Sequence, residues 1–223
     1  MTYKNIFKGI FLSRPNRFIA NVMINGKTCV CHVKNTGRCK ELLVQGATVL
    51  LEKSSNPNRK TEYDLIAVYK GNRLINMDSS APNEVAYEWL KKQYPDAIIK
   101  REKTWKDSRF DFYIENDCDK LFIEVKGVTL ENNGIVLFPD APTLRGVKHL
   151  NGLTQWVKEG GKAMALFVVQ MSDVKYFTPN KTTHPEFAQA LKEAQNQGVE
   201  VKAVDCTVSE NSLNINKEIQ VIL

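Results

Sequence analysis

The sequence predicts two domains: a small all-β barrel over residues 1–80, and a mixed sheet flanked by helices over residues 81–223. Three observations carry that division. Residues 17–77 break into short alternating runs separated by turn residues, with one short helical segment among them. After Asp78-Ser79-Ser80-Ala81-Pro82 the pattern changes to helices alternating with strands. The charge is also uneven. Residues 1–80 hold 13 Lys+Arg against 5 Asp+Glu, a net +8, whereas residues 81–223 hold 18 against 20, a net −2. A basic module attracts polyanions, although lysine also serves solubility.

The bulk numbers exclude several classes. With 43% hydrophobic and 25% charged residues, the chain has the composition of an ordinary globular protein. No apolar run is long enough for a membrane span, and the N-terminus lacks the apolar stretch and cleavage site of a signal peptide. Five cysteines, an odd number without a C-x-x-C pair, predict reduced thiols and a cytoplasmic protein. The oligomeric state stays open, a homodimer included.

In the first unit, RFIANVMI and KTCVCHV flank Asn25-Gly26, a strong hairpin signal. Cys29 and Cys31 share a strand face, and without a second pair they read as core residues. His32 reads either as structural or as a ligand or base. Thr36-Gly37 predicts a turn and Arg38–Leu43 a short helix; residues 47–52, 63–69 and 73–77 predict further strands. This set suggests an OB-fold barrel, which binds single strands through one strand face and its loops. Arg14, Arg17, Arg38, Arg59 and Lys60 are candidate nucleic-acid contacts, with Phe18 and Tyr63 nearby for stacking.

In the second unit, Ser80 and Pro82 open a helix that runs to about Tyr94, with Glu88 beside its apolar stripe. Glu88 reads equally as a site residue and as a surface partner of Lys92. RFDFYIE, a polar turn at 116–119 and KLFIEVK form a central hairpin. Alternation places Phe110, Phe112 and Ile114 on one face and Asp111 on the other; Leu121, Ile123 and Val125 oppose Phe122, Glu124 and Lys126. A strand at 134–138 follows, then a helix at 144–159 capped by Thr143, with Arg145, Lys148 and His149 near an N-terminus suited to phosphate. Residues 163–170 form a strand buried on both faces, Thr183–Glu186 a capping box, and residues 199–204 a last strand.

The chemistry converges on the hairpin. Asp111, twelve residues, then Glu124-Val125-Lys126 is the D-x(n)-(D/E)-x-K pattern of the PD-(D/E)XK nucleases. Glu124 and Lys126 share a strand face, and Asp111 joins them from the adjoining strand. Carboxylate oxygens suit Mg²⁺ or Mn²⁺, which polarise a scissile phosphate and lower the pKa of water. Lys126 would place that water or neutralise developing charge. Glu88 and the two flanking helices complete the order αβββαβ of that core.

The blocks HVKNTGRCKELLVQGA, NPNRKT, RFDFY, EVKGVTL and FPDAPTLRGVKHL recur in order across nearly the whole chain, and together they resemble the sugar fermentation stimulation protein A (SfsA) family. The resemblance implies an N-terminal OB-fold domain, a C-terminal PD-(D/E)XK nuclease-like domain, DNA rather than RNA as partner, and a bacterial or archaeal cytoplasm. It supports Glu88, Asp111, Glu124 and Lys126 as the catalytic set, the three carboxylates as Mg²⁺ or Mn²⁺ ligands, and Arg145 and His149 as flanking groups. Leu144 departs from the family, which usually has glutamate there. Two expectations follow: a metal-dependent nuclease, or a catalytically weak or silent DNA-binding regulator of sugar (maltose-type) metabolism genes on a nuclease scaffold.

Overall fold

Alternation of apolar and polar residues gives each early strand an inside and an outside. In β1 (Ile6–Asn16), β2 (Ile19–Ile24), β3 (Lys27–Val33), β4 (Thr48–Lys53) and β5 (Tyr63–Lys70), the inward residues include Phe11, Val22, Cys31, Val49 and Leu65, all buried in one cluster. In the computed structural model, which describes residues 1–116 and 119–223, these strands pair in the order β3-β2-β1-β4-β5. A parallel pairing of β3 with β5, from Cys31↔Tyr63 to Val33↔Leu65, closes them into a barrel of OB type. A short strand, β6 (Arg73–Asn76), extends β5 beyond the ring. Asn25 and Gly26 have φ of 49° and 77°, the doubly left-handed turn that the Asn-Gly signal anticipates.

Two local expectations fail here. Strand β1 starts at Ile6, well before the first strand expected from sequence, because register shifts near Phe11 and Ser13 break its alternation. The expected helix at Arg38–Leu43 is a turn: Cys39 sits at φ 44°, outside helical space, and the N–H groups of Leu42 and Leu43 both return to its carbonyl.

The second unit is a sheet of nine strands among the described residues, in the order β10-β11-β13-β15-β14-β12-β9-β8-β7. Its elements are α1 (Ala81–Gln93), β7 (Ile98–Trp105), β8 (Ser108–Glu115), β9 (Lys120–Val128), β10 (Leu130–Asn132), β11 (Ile135–Phe138), α2 (Leu144–Lys158), β12 (Lys162–Val169), β13 (Tyr176–Pro179), α3 (Pro185–Asn196), β14 (Glu200–Val208) and β15 (Leu213–Val221). Helix α1 covers one face with Val85 and Leu90 against Ile123 and Val125; α2 and α3 cover the other with Leu150, Leu153 and Phe187. Strand β12 is buried on both faces as expected, Met164, Leu166 and Val168 toward α1 and Ala165, Phe167 and Val169 toward α2 and α3. The sequence had not revealed β10, β13, β7 or β15. The first two span three and four residues, too short for a periodic signal.

The helix starts differ in detail. Thr143 caps α2 by accepting the Gly146 N–H at 3.0 Å. Ser80 instead donates its hydroxyl to Asp78, 2.6 Å away, and makes no cap bond. The capping box at 183–186 does not form: His184 is the N-cap and Pro185 takes the first helical position, which leaves Glu186 one residue out of register for a box.

The two units are tied along a seam. Asn76 donates its backbone N–H to the Gln170 carbonyl and accepts from the Gln170 side chain at 2.8 Å; Lys70 and Arg73 both pair with Glu131, and the Arg38 N–H reaches Asp140 at 3.1 Å.

Candidate functional site

The hairpin pairs Phe112 with Ile123 and Glu115 with Lys120; its expected turn at 116–119 includes residues 117 and 118, outside the described residues, as is Cys118. The ladder to β9 ends at Phe112↔Ile123, one residue short of Asp111. The Asp111 carboxylate itself accepts the Val125 N–H at 2.7 Å, a donor that strand pairing would otherwise use, and takes a second bond from the Asn83 side chain of α1 at 2.8 Å. On the other side, Glu102 of β7 stands at φ 54° between the pairs Arg101↔Phe112 and Lys103↔Phe110. Alternation slips at this point. Phe110 therefore packs with Tyr113 and Phe122 under α2, not with Phe112 and Ile114 under α1 as strict period-two reading expects. The faces of β9 are as expected: Leu121, Ile123 and Val125 lie together under α1, and Phe122 lies on the α2 side.

Asp111, Glu124 and Lys126 line one cleft of ≈ 300 Å³, together with Asn83 and Arg145. Glu124 is buried at 4% side-chain exposure, and its Oε1 accepts from both Lys126 Nζ and His149 Nδ1. A carboxylate only accepts, so His149 carries its proton on Nδ1. Its other oxygen, Oε2, is buried with no hydrogen-bond partner among the described residues. Electrostatics separate the two acids. Burial, then the neighbouring charge of Glu124, pushes the Asp111 carboxyl above its usual range, against the pull of the Val125 N–H and Lys126. Burial pushes Glu124 upward too, but the His149 hydrogen bond and the Lys126 charge outweigh it and hold Glu124 below its usual range.

Other expected site residues are not brought here. Glu88 is 52% exposed and pairs at 2.8 Å with the N-terminal ammonium, because α1 turns it away from the hairpin. Asn83, near the start of α1, takes the place expected of a helix-borne group, which no acidic motif could have flagged. His149 is buried against Phe110 and serves Glu124, so it is not an open phosphate contact. Lys148 pairs with Asp107 at 3.2 Å. Leu144 is 80% exposed and lies outside the cleft lining, while Thr143 keeps the helix cap.

The barrel cations divide the same way. Arg17 and Arg38 are exposed and line a second cleft of ≈ 490 Å³ with Lys40, a residue the sequence had not singled out. Arg14 lines it too, but its guanidinium donates to the carbonyls of Arg17, Asn35, Gly37 and Arg38 and frames the loop. Arg59 is held by Asp64 in a two-pronged pair at 2.6 and 2.7 Å, which also engages His32. Lys60 is exposed on its loop, outside this cleft.

No three His, Cys, Asp or Glu side chains cluster as metal ligands among the described residues, and none of their helices is long and apolar enough to cross a membrane. The two carboxylates still suit a hard cation. Mg²⁺ commonly takes one or two carboxylates and fills its remaining positions with water and substrate phosphate, and the Glu124 Oε2, without a hydrogen-bond partner among the described residues, is an oxygen of the type such a cation takes.

Comparison with known proteins agrees with this architecture. Residues 12–77 match the family model of the SfsA N-terminal OB domain, and residues 80–212 that of the sugar fermentation stimulation protein RE domain. The chain is 56% identical to a sugar fermentation stimulation protein homolog of Ruminiclostridium cellulolyticum and 57% identical to one of Clostridium beijerinckii, each over 100% of both chains. Among solved structures it resembles Pyrococcus furiosus SfsA in complex with Ca²⁺, with a TM-score of 0.89 and 28% identity over 100% of this chain and 98% of that one.

Proposed function

The chain belongs to the sugar fermentation stimulation protein (SfsA) family, and we propose that it is a metal-dependent nuclease that hydrolyses phosphodiester bonds, with DNA as its substrate and a cytoplasmic place of action. The observation that carries this reading is Glu124, which lines the cleft with Asp111 and Lys126 and whose Oε2 is buried without a hydrogen-bond partner among the described residues. A buried carboxylate oxygen without a donor is costly, and such groups concentrate where an external ligand completes them. That a relative of 28% identity was solved with Ca²⁺, a cation that takes oxygen ligands, supports the same reading.

Asp111 and Glu124 would hold Mg²⁺ or Mn²⁺. When bound, the cation supplies Lewis-acid polarisation of the scissile phosphate. The chain's own residues do the rest. The Val125 N–H and Asn83 fix the Asp111 carboxylate, and His149 fixes Glu124. Lys126, at 19% side-chain exposure, faces the cleft and stabilises charge developing on the phosphate or orients the attacking water. Arg145, exposed at the mouth, contacts the entering phosphate.

The test is a panel of single- and double-stranded DNA and RNA, incubated with Mg²⁺ or Mn²⁺ and with EDTA. Cleavage that needs the metal and disappears in Lys126→Ala is the expected result; binding without cleavage across the panel rejects the nuclease reading. A second reading, a catalytically silent DNA-binding regulator of sugar metabolism, is favoured by the position of Glu88, which leaves two acidic side chains in the cleft among the described residues. Metal-independent binding with no cleavage is its signature.

A further inference from the structure

The carboxylate cleft does not end at Arg145. It shares Gly127, Phe138 and Thr143 with a second cleft of ≈ 300 Å³ along the seam between the units. That cleft in turn shares Thr36, Gly37 and Ala141 with the ≈ 490 Å³ basic cleft of the barrel. The three form one groove of changing character. One end carries Asp111, Glu124, Lys126 and Arg145; the other carries the exposed Arg17, Arg38 and Lys40. The middle is lined by neutral groups such as Phe138, Pro139 and Pro142, and its one charged side chain among the described residues, Asp140, is turned onto the Arg38 N–H at 3.1 Å. The wall is built close: a Cβ on Gly37 would lie 2.8 Å from the side-chain oxygens of both Asn35 and Asp140.

We infer that this groove threads a single, unpaired nucleic-acid strand, with phosphates held in the basic cleft and at the carboxylates and an unstacked nucleoside in the neutral cleft between them. The carboxylate end of the path rests on the nuclease reading; the neutral and basic clefts do not. Alternation of cationic and neutral sections matches a strand in which phosphates alternate with sugars and bases. The middle section has the volume of a small-ligand pocket. A duplex keeps its bases stacked and has nothing free to enter, unless it first pays the unstacking of a nucleotide.

The experiment measures binding in EDTA, so that turnover plays no part, by fluorescence anisotropy of a labelled 15-nucleotide strand and of the same sequence as a duplex. The single strand is expected to bind about 10-fold tighter or more at fixed salt, and Arg38→Ala with Lys40→Ala to flatten its log–log salt dependence by about 0.7 per lost contact. Ala141→Trp fills the groove between the middle and basic sections and is expected to weaken single-strand binding on the order of 10-fold, the scale of a lost stacking contact. Thr36→Trp, at an exposed position of the same stretch, gives the same readout if Ala141→Trp does not fold. Equal affinity for duplex and single strand, or an unchanged single-strand affinity in a folded tryptophan variant, overturns the inference. Hydrolysis of bis(p-nitrophenyl) phosphate with Mn²⁺ reads the carboxylate end alone. If it is absent while the binding pattern holds, the nuclease reading falls with the carboxylate end of the path, and the strand path through the neutral and basic clefts stands.

Discussion

Two trios of carboxylate, histidine and cation stand in this molecule, one in each unit, and they are finished differently. In the barrel, Asp64 accepts His32 Nδ1 at 2.8 Å and Arg59 at 2.6 and 2.7 Å, so both of its oxygens are satisfied. In the α/β unit, Glu124 receives His149 and Lys126 on the same oxygen, and the other is left buried and empty among the described residues. Both acids are pushed up by burial and pulled lower by their partners, so electrostatics alone would not tell them apart. Hydrogen-bond completeness does. The closed trio pins the 54–62 loop to β5, and the open one leaves an unmet acceptor on a residue that lines the cleft.

The largest effect should come from closing that open oxygen. Glu124→Gln replaces one carboxylate oxygen with an amide group and, on the nuclease reading, is expected to reduce metal-dependent cleavage to background; Lys126→Ala should cost on the order of 10²–10³-fold in kcat. In the same assay Asp64→Asn is expected to stay within about twofold of wild type, and instead to lose about 1–2 kcal/mol of stability, discounted because Arg59 and His32 are each about a third exposed. A cleavage loss in Asp64→Asn as deep as that in Glu124→Gln would erase the distinction between the two trios.

The difference between the trios was only half legible in the sequence. Asp111, Glu124 and Lys126 could be read because strand alternation places i and i+2 together and the hairpin sets the pairing. The slip at Asp111 could not: it arises from a side chain taking a backbone N–H and from a left-handed Glu102, and neither leaves a mark in hydropathy. Glu88 was drawn toward the site by its place beside an apolar stripe, but a helix buries a broad sector, and Ala81, Pro82, Val85, Ala86 and Leu90 define one that leaves Glu88 outside. Arg14 and Arg59 look like open cations in the sequence because it shows charge and not partners. His149 was read at a helix start, whereas its role depends on β9, twenty-five residues earlier. The barrel was clearer, since Asn25-Gly26 and inward residues at period two fix local geometry directly; only its bulged first strand and the Cys39 turn escaped.

A second, smaller effect separates the acids by sign. Because the Asp111 carboxyl lies above its usual range in the fold, its ionised form at neutral pH subtracts from stability. Asp111→Asn removes that charge and keeps an oxygen for the Val125 N–H, while a flip of the Asn83 amide turns its oxygen to the new side-chain N–H. In EDTA the variant should melt a few degrees above wild type, since about 1 kcal/mol corresponds to roughly 2–4 °C at this chain length. With Mn²⁺ the order should reverse, because wild type gains binding free energy that the variant cannot. Calorimetric scans under both conditions decide it, and a variant that melts lower in EDTA contradicts the raised carboxyl.

The smallest effect is the acid dependence of the closed trio. Burial raises the Asp64 carboxyl, but the Arg59 and His32 hydrogen bonds outweigh it, so its folded pKa lies below the unfolded value of about 3.9. For a lowered acid, the stabilisation is fully present above the unfolded value and is lost as pH falls through the folded one. Glu131, held low against burial by Lys70, the Gly134 N–H and Arg73, behaves the same way at the seam. The stability gap between wild type and Asp64→Asn, from urea denaturation, should therefore be constant from about pH 7 to pH 5 and narrow below about pH 4. Asp111 works in the opposite sense, regaining stability as it protonates at a higher pH, so it raises both proteins together and cancels from the gap. A gap that persists unchanged to about pH 2 would mean that Asp64 stabilises the barrel through packing, and that the closed trio owes little to charge.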